Sequence, residues 1–152
     1  MATKRKINSK IDSISYQNQD NKNDEEREII ILTLPMNAAY ISAARLTSSS
    51  IANRLGFGIE EVEDIKTAVS EACTFVIDKF SQLTQKPFVL KFEPDKDNLS
   101  VFLEVEGMLD FERFKNETGI LMMKALMTEV RVASTLSKFK MILRKEHSEF
   151  SV

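Results

Sequence analysis

The sequence predicts an α+β two-layer sandwich, a mixed, mainly antiparallel sheet covered on one face by three helices. Three observations carry this reading. Two long segments place apolar residues three and four apart, the spacing of one helix face. Later segments switch to a period of two, the spacing of a strand. The resulting order, β-α-α-β-β-α-β-β, lacks the regular alternation of a doubly wound parallel sheet.

Taken in order, residues 1–26 are rich in Lys, Asn, Gln, Ser, Asp and Glu, with three Ile and one Tyr after Met1. Such a composition buries too little apolar surface to offset chain entropy, so a disordered or loosely attached tail is expected there. It reads as a solvated tail or as a partner-binding arm. The ordered domain is expected over 27–146, with a short C-terminal tail at 147–152.

Within that domain, Ile29 to Leu34 reads as a strand ended by Pro35. Asn37 is placed to cap a helix over 38–55, with the stripe Ile41, Ala44, Ser48, Ile51, Ala52 and Leu55. Gly56 suits the left-handed position after its last turn. A second helix over 59–81 carries Ile59, Val62, Ile65, Val69, Ala72, Val76 and Phe80 at spacings of three and four. Phe88, Leu90 and Phe92, then Val101, Leu103 and Val105, mark two strands around the polar turn Asp95-Lys96-Asp97-Asn98. A Leu- and Met-rich helix is expected at 117–128. Strands at 129–134 and 138–145 close the chain as a hairpin.

At 152 residues the chain has room for one sizeable core. A formal net charge of -2 supplies no global basic field for nucleic acid. Apolar runs reach only four residues, as at Ile29–Leu32, against the roughly 20 that span a bilayer. No apolar segment follows the basic start, so no secretory leader and no membrane contact are expected. The single Cys73 forms no internal disulfide, which fits a reducing compartment, the cytoplasm.

The segment Ile65-Lys66-Thr67-Ala68-Val69-Ser70-Glu71-Ala72-Cys73-Thr74 closely resembles the second-helix motif of the anti-sigma-factor serine/threonine kinases. These belong to the histidine-kinase-like, gyrase-type (Bergerat) ATPases. Ala43-Ala44-Arg45-Leu46-Thr47 with Ala52-Asn53-Arg54-Leu55-Gly56 resembles the family's first helix. Gly119-Ile120-Leu121 with Leu126-Met127-Thr128-Glu129-Val130 resembles its third helix and the following strand. The resemblance spans about 28–145 and implies a protein that captures a sigma factor and phosphorylates an anti-sigma antagonist with ATP.

Carried over residue by residue, the resemblance puts Glu71 where the family has its catalytic carboxylate. Four residues on, the family's Mg2+-ligating asparagine is replaced by Phe75, whose ring offers no oxygen to the metal. The family's Asp-x-Gly motif for adenine becomes Val105-Glu106-Gly107, and Glu106 faces the opposite side of its strand from Val105. The long lid and Gly-rich turn shrink to Met108–Thr118, carrying Phe111 and Phe114, with Gly119 the remaining glycine. The expectation is a degenerate ATP/Mg site at Phe75, Val105, Gly107 and Gly119, a vestigial base at Glu71, and no bound metal. ATP and Mg2+ return only if the site still functions.

The resemblance and its departures leave two functions. One is an anti-sigma-like transcription regulator that works by partner switching without phosphorylation. The other is an active ATP-dependent serine/threonine kinase. The implied partners are a sigma factor, an anti-sigma antagonist and a second copy of the chain. Arg45, Thr47 and Ser48 on the first helix are the candidate partner contacts. Each also has a plainer reading: Arg45 as a surface arginine, and Ser48 and its neighbours as small residues on a polar face. Met122, Met123 and Met127 read as core rather than as an adaptable surface. Cys73 reads as packing, and His147 has no Cys or His companion for a metal.

Overall fold

The computed structural model describes residues 27–148. The expected tail at 1–26 and residues 149–152 lie outside the described residues. Five strands form one sheet: β1 (Ile30–Leu34), β2 (Phe88–Pro94), β3 (Asn98–Glu106), β4 (Glu129–Ser134) and β5 (Lys138–Glu146). Their spatial order is β1-β2-β3-β5-β4. All four pairings are antiparallel. The expectation of a mixed sheet left room for a parallel pair. None forms among the described residues, because β5 inserts between β3 and β4 and runs opposite to both.

The period-2 patterns set the register. Leu32, Leu90, Leu103, Met141 and Val132 line up across all five strands on one face. The adjacent row on the other face is Ile31, Lys91, Phe102, Ile142 and Arg131. Slipping any strand by one residue would turn its apolar set outward, so the pairing is strongly specified. On the outer face Glu104 is shared by Lys91, Lys138 and Lys140 at 3.5–3.7 Å.

Three α-helices cover the inner face: α1 (Ile41–Arg54), α2 (Ile59–Phe80) and α3 (Thr118–Leu126). Asn37 does cap a helical start, its Oδ1 accepting from the Ala39 amide at 2.9 Å. The capped element is a 3-10 turn, Ala38–Tyr40, so the α-helix begins three residues later than expected. Gly56 has φ 82°, and its amide donates to the Asn53 carbonyl, ending α1 as its sequence predicts. The buried side of α1 is made of small residues, Ala44, Ser48 and Ala52, spaced by four. They allow α1 to lie close against α2.

The central helix, α2, buries Val62, Ile65, Ala68, Val69, Ala72, Cys73, Phe75, Val76 and Phe80. Ile59 departs from the predicted stripe. It stands at the helix's first residue and is 86% exposed. Met123 and Met127 are buried, as their spacing suggests, whereas Met122 is 38% exposed.

Candidate functional site

Glu71 and Phe75 lie one turn apart on α2, so their side chains share a face. Phe75 is buried. Its ring centroid lies 6.0 Å from Phe111, 6.4 Å from Phe114 and 6.1 Å from Phe139, the first two in edge-to-face geometry. Phe139 is also 5.3 Å from Phe80. Five phenyl rings from α2, β5 and the 108–117 segment thus form one contiguous apolar mass. Position 75 offers a magnesium ion no oxygen, and three rings pack against it.

Val105 and Gly107 border this mass. Val105 faces the core opposite Phe139 in the β3–β5 ladder. Glu106 is exposed and pairs with Lys86 at 2.8 Å, so it does not turn inward toward the place the resemblance assigns to adenine. Gly107 has φ 133°, and a Cβ built there would stand 3.2 Å from two carbons of the Phe80 ring. Both the backbone angle and the close ring ask for glycine.

The resemblance assigns phosphate binding to the start of α3. There a Cβ on Gly119 would lie 2.7 Å from Glu71 Oε2. The Glu71 carboxylate therefore rests against the first turn of α3, where the helix dipole favours negative charge. No side chain caps α3, and its first turn contains no acidic residue of its own.

A residue on which the sequence reading is silent holds this end together. Lys79 Nζ donates to Glu117 Oε1 at 2.6 Å and pairs with Asp78 at 3.1 Å. It also lies 4.3 Å from the Phe114 ring centroid and 5.7 Å from that of Phe75. The hydrogen bond to Glu117 pushes the ammonium above its ordinary range; partial burial opposes this, and the Asp78 carboxylate adds to the upward push. The sequence hint was small: Lys79 stands four residues after Phe75. Its partner Glu117 is 38 residues away, and no local pattern joins them.

The three partner-contact candidates on α1 fare differently. Arg45 Nη1 donates to Ser70 Oγ at 2.6 Å and, more weakly, to the Lys66 carbonyl at 3.4 Å. Its guanidinium is thus tied to α2 and partly buried. Thr47 is half-buried and donates to the Ala43 carbonyl at 2.8 Å. Ser48 is corrected by the structure. It is fully buried and donates to the Ala44 carbonyl at 2.7 Å, so it offers no surface to a partner. The helical stripe that includes Ser48 prevails over its place in a run of small polar residues. Leu46, 69% exposed, is the large apolar side chain that α1 does present.

Burial pushes the Cys73 thiol up to about 12, so it stays protonated and packs as a small hydrophobe. His147 donates from Nε2 to the Gly56 carbonyl at 2.6 Å and stacks on Phe57 at 5.0 Å. Nearby, Glu61, Asp64, Thr128 and Lys145 line a cleft of about 850 Å3 at the start of α2. Among the described residues no group of three or more His, Cys, Asp or Glu is arranged to hold a metal ion. No helix among them is long and apolar enough to cross a membrane.

The architecture, five antiparallel strands covered on one face by three helices, is an α+β two-layer fold. Two solved structures share the fold. One contains the RsbU and RsbW domains of Rv1364c from Mycobacterium tuberculosis, with a TM-score of 0.64 and 17% identity over 79% of this chain and 32% of that one. The other is the SiaB–SiaC complex from Pseudomonas aeruginosa, with a TM-score of 0.63 and 8% identity over 88% of this chain and 99% of the matched one. At the level of sequence, the chain is 32% identical over 96 residues to the serine-protein kinase RsbW of a Bacillus cereus strain. RsbW of Bacillus thuringiensis subsp. konkukian matches to the same extent. The match covers 62% of this chain and 60% of those kinases. The resemblance to the anti-sigma-factor serine kinases therefore holds in both sequence and fold. No protein-family model matches the chain.

Proposed function

We propose that this chain is an anti-sigma-type regulator that acts by binding partner proteins and has given up nucleotide-dependent phosphorylation. The observation that carries the reading is Phe75, buried among Phe111, Phe114 and Phe139 at the place the resemblance assigns to a magnesium-ligating asparagine. Magnesium requires oxygen ligands in near-octahedral order, and a ring there both removes one and occupies the metal's space. Val105 removes the adenine acceptor. Phe111 and Phe114, from the short segment that stands where the resemblance puts a lid, pack on Phe75 and fill the space beside it. The residues present do not suit Mg-ATP, and no catalytic step is assigned to them.

In this reading the partner is a sigma factor or an anti-sigma antagonist met by the exposed side of α1, including Leu46 and the outward part of Arg45. The protein works as a homodimer in the cytoplasm. The test is complex formation between the purified full chain and each candidate partner, with and without Mg-ATP, alongside calorimetry of Mg-ATP alone. Stoichiometric capture unchanged by nucleotide, with no heat of binding at millimolar Mg-ATP, is the expected result. Micromolar Mg-ATP affinity would overturn the reading.

The retained Glu71 and the serine-protein kinases among the relatives favour a second reading, an active kinase with a divergent site. It requires phosphate transfer to an antagonist serine that Glu71→Gln abolishes. Absence of transfer removes it.

A further inference from the structure

We infer that the segment Met108–Glu117 is a closed strap, latched by Lys79 to the end of α2, so that an internal contact rather than a ligand holds it over Phe75. The inference rests on the reading that this site has lost its nucleotide, and it adds what replaces it.

The strap enters from Gly107, whose amide donates to the Ser137 carbonyl at 2.9 Å. The Ser134 hydroxyl donates to its Leu109 carbonyl at 3.3 Å. It then makes a 3-10 turn at Phe111–Arg113, which brings Phe111 and Phe114 onto Phe75. The strap ends at Glu117, the residue that precedes α3. Each ring alone is a modest contact, worth an edge-to-face interaction beyond its buried area. Lys79 joins them to a charge. Its ammonium lies over the Phe114 ring and donates to Glu117, while its side chain is only 15% exposed. One cation therefore fixes both a strap side chain and the residue that launches α3. The same ammonium lies 5.7 Å from the Phe75 ring centroid, so it borders both rings.

A latch of this kind is positioning, not catalysis, and it makes a claim beyond ordinary packing: the strap's closure should depend on one ion pair and respond to salt. The backbone reporters are the amides of Phe114 and Glu117. They donate within the strap to the Phe111 and Phe114 carbonyls at 2.9 and 3.0 Å.

Hydrogen exchange of the nucleotide-free full chain tests it. Protection of the Phe114 and Glu117 amides well above the unstructured rate is expected. Lys79→Met, which keeps the stem, and Glu117→Gln should each speed their exchange about five- to tenfold while leaving the β3 and β5 amides unchanged. Raising salt should speed exchange in the wild type and have little effect in either variant. Unprotected amides in the wild type would overturn the strap. Protected amides indifferent to both substitutions and to salt would overturn the latch. Nucleotide binding is read separately by calorimetry, so failure of the strap and failure of the nucleotide-free reading give different results.

Discussion

The two halves of α2 do opposite things with the same helix. Its first half faces α1 through small residues and polar links. Ala44, Ser48 and Ala52 let the two helices approach, and Arg45 reaches across to Ser70. Its second half faces rings, with Phe75, Phe80, Phe111, Phe114 and Phe139 linked in one cluster and Lys79 closing the edge. Polar links between helices can exchange partners at modest cost, since a typical hydrogen bond contributes about 1 kcal/mol net. A buried aromatic mass cannot open without losing several kcal/mol. In the proposed reading, the difference separates the part of the molecule that meets partners from the part that has been sealed.

The largest effect is expected at the ring cluster. Phe75→Ala should cost about 3–5 kcal/mol of stability, read by urea unfolding, because it deletes a buried ring at the centre of the cluster. For a domain of this size that corresponds to a fall in Tm of roughly 10–20 °C. A loss below about 1 kcal/mol would mean that the rings are not a shared core.

Next in size is Gly107→Ala, expected to destabilise by about 1–3 kcal/mol. It forces a Cβ into a positive-φ position and against the Phe80 ring. Gly119→Ala is the control at the other end of the candidate site. Its Cβ meets only the end of the flexible Glu71 side chain, which can swing away. Its effect should stay within about 1 kcal/mol, since alanine also favours the helix. Equal losses at the two glycines would contradict the geometry.

The open half is sharpened by Arg45. Arg45→Ala should cost about 1 kcal/mol of stability through the lost bond to Ser70. If Arg45 also contacts partners, its removal should abolish complex formation, whereas Ser70→Ala, which removes the shorter of the two bonds Arg45 makes to α2, should leave complexes intact. Equal loss in both variants would show that the arginine acts through α2.

The smallest effect lies on the outer face of the sheet. Partial burial pushes the Glu104 carboxyl up, but Lys91, Lys138 and Lys140 together outweigh it and hold the group below its ordinary value of 4.5. A carboxyl lowered by folding contributes stability above its unfolded value and loses it as pH falls toward the folded one. Acid unfolding below about pH 4.5 should therefore be less steep in Glu104→Gln than in the wild type. The difference should shrink in high salt.

How much the sequence disclosed depends on how local each signal is. The register row from Leu32 to Val132 and the left-handed Gly56 are set by spacing and by one residue's conformational freedom, so both are readable in the chain. Phe75 was recognisable as a departure because it sits inside a motif. Its companions were only partly so: Phe111 and Phe114 stand out as bulky residues in a short segment, but Phe139 reaches the cluster through strand pairing. The Lys79–Glu117 contact joins residues 38 apart, beyond any helical or strand period. Ser48 carried two signals, a stripe position and a run of small polar residues, and only packing against α2 decides between them.

The account turns on whether the site between α2, α3 and β3 still accepts nucleotide. An NMR titration of the full chain with Mg-ATP to millimolar concentration addresses it directly, with the amides of Glu71, Gly107 and Gly119 as reporters. The predicted result is spectra that do not move. Saturable shifts centred on those three residues would show that the aromatic mass opens to admit a triphosphate, and would contradict the account.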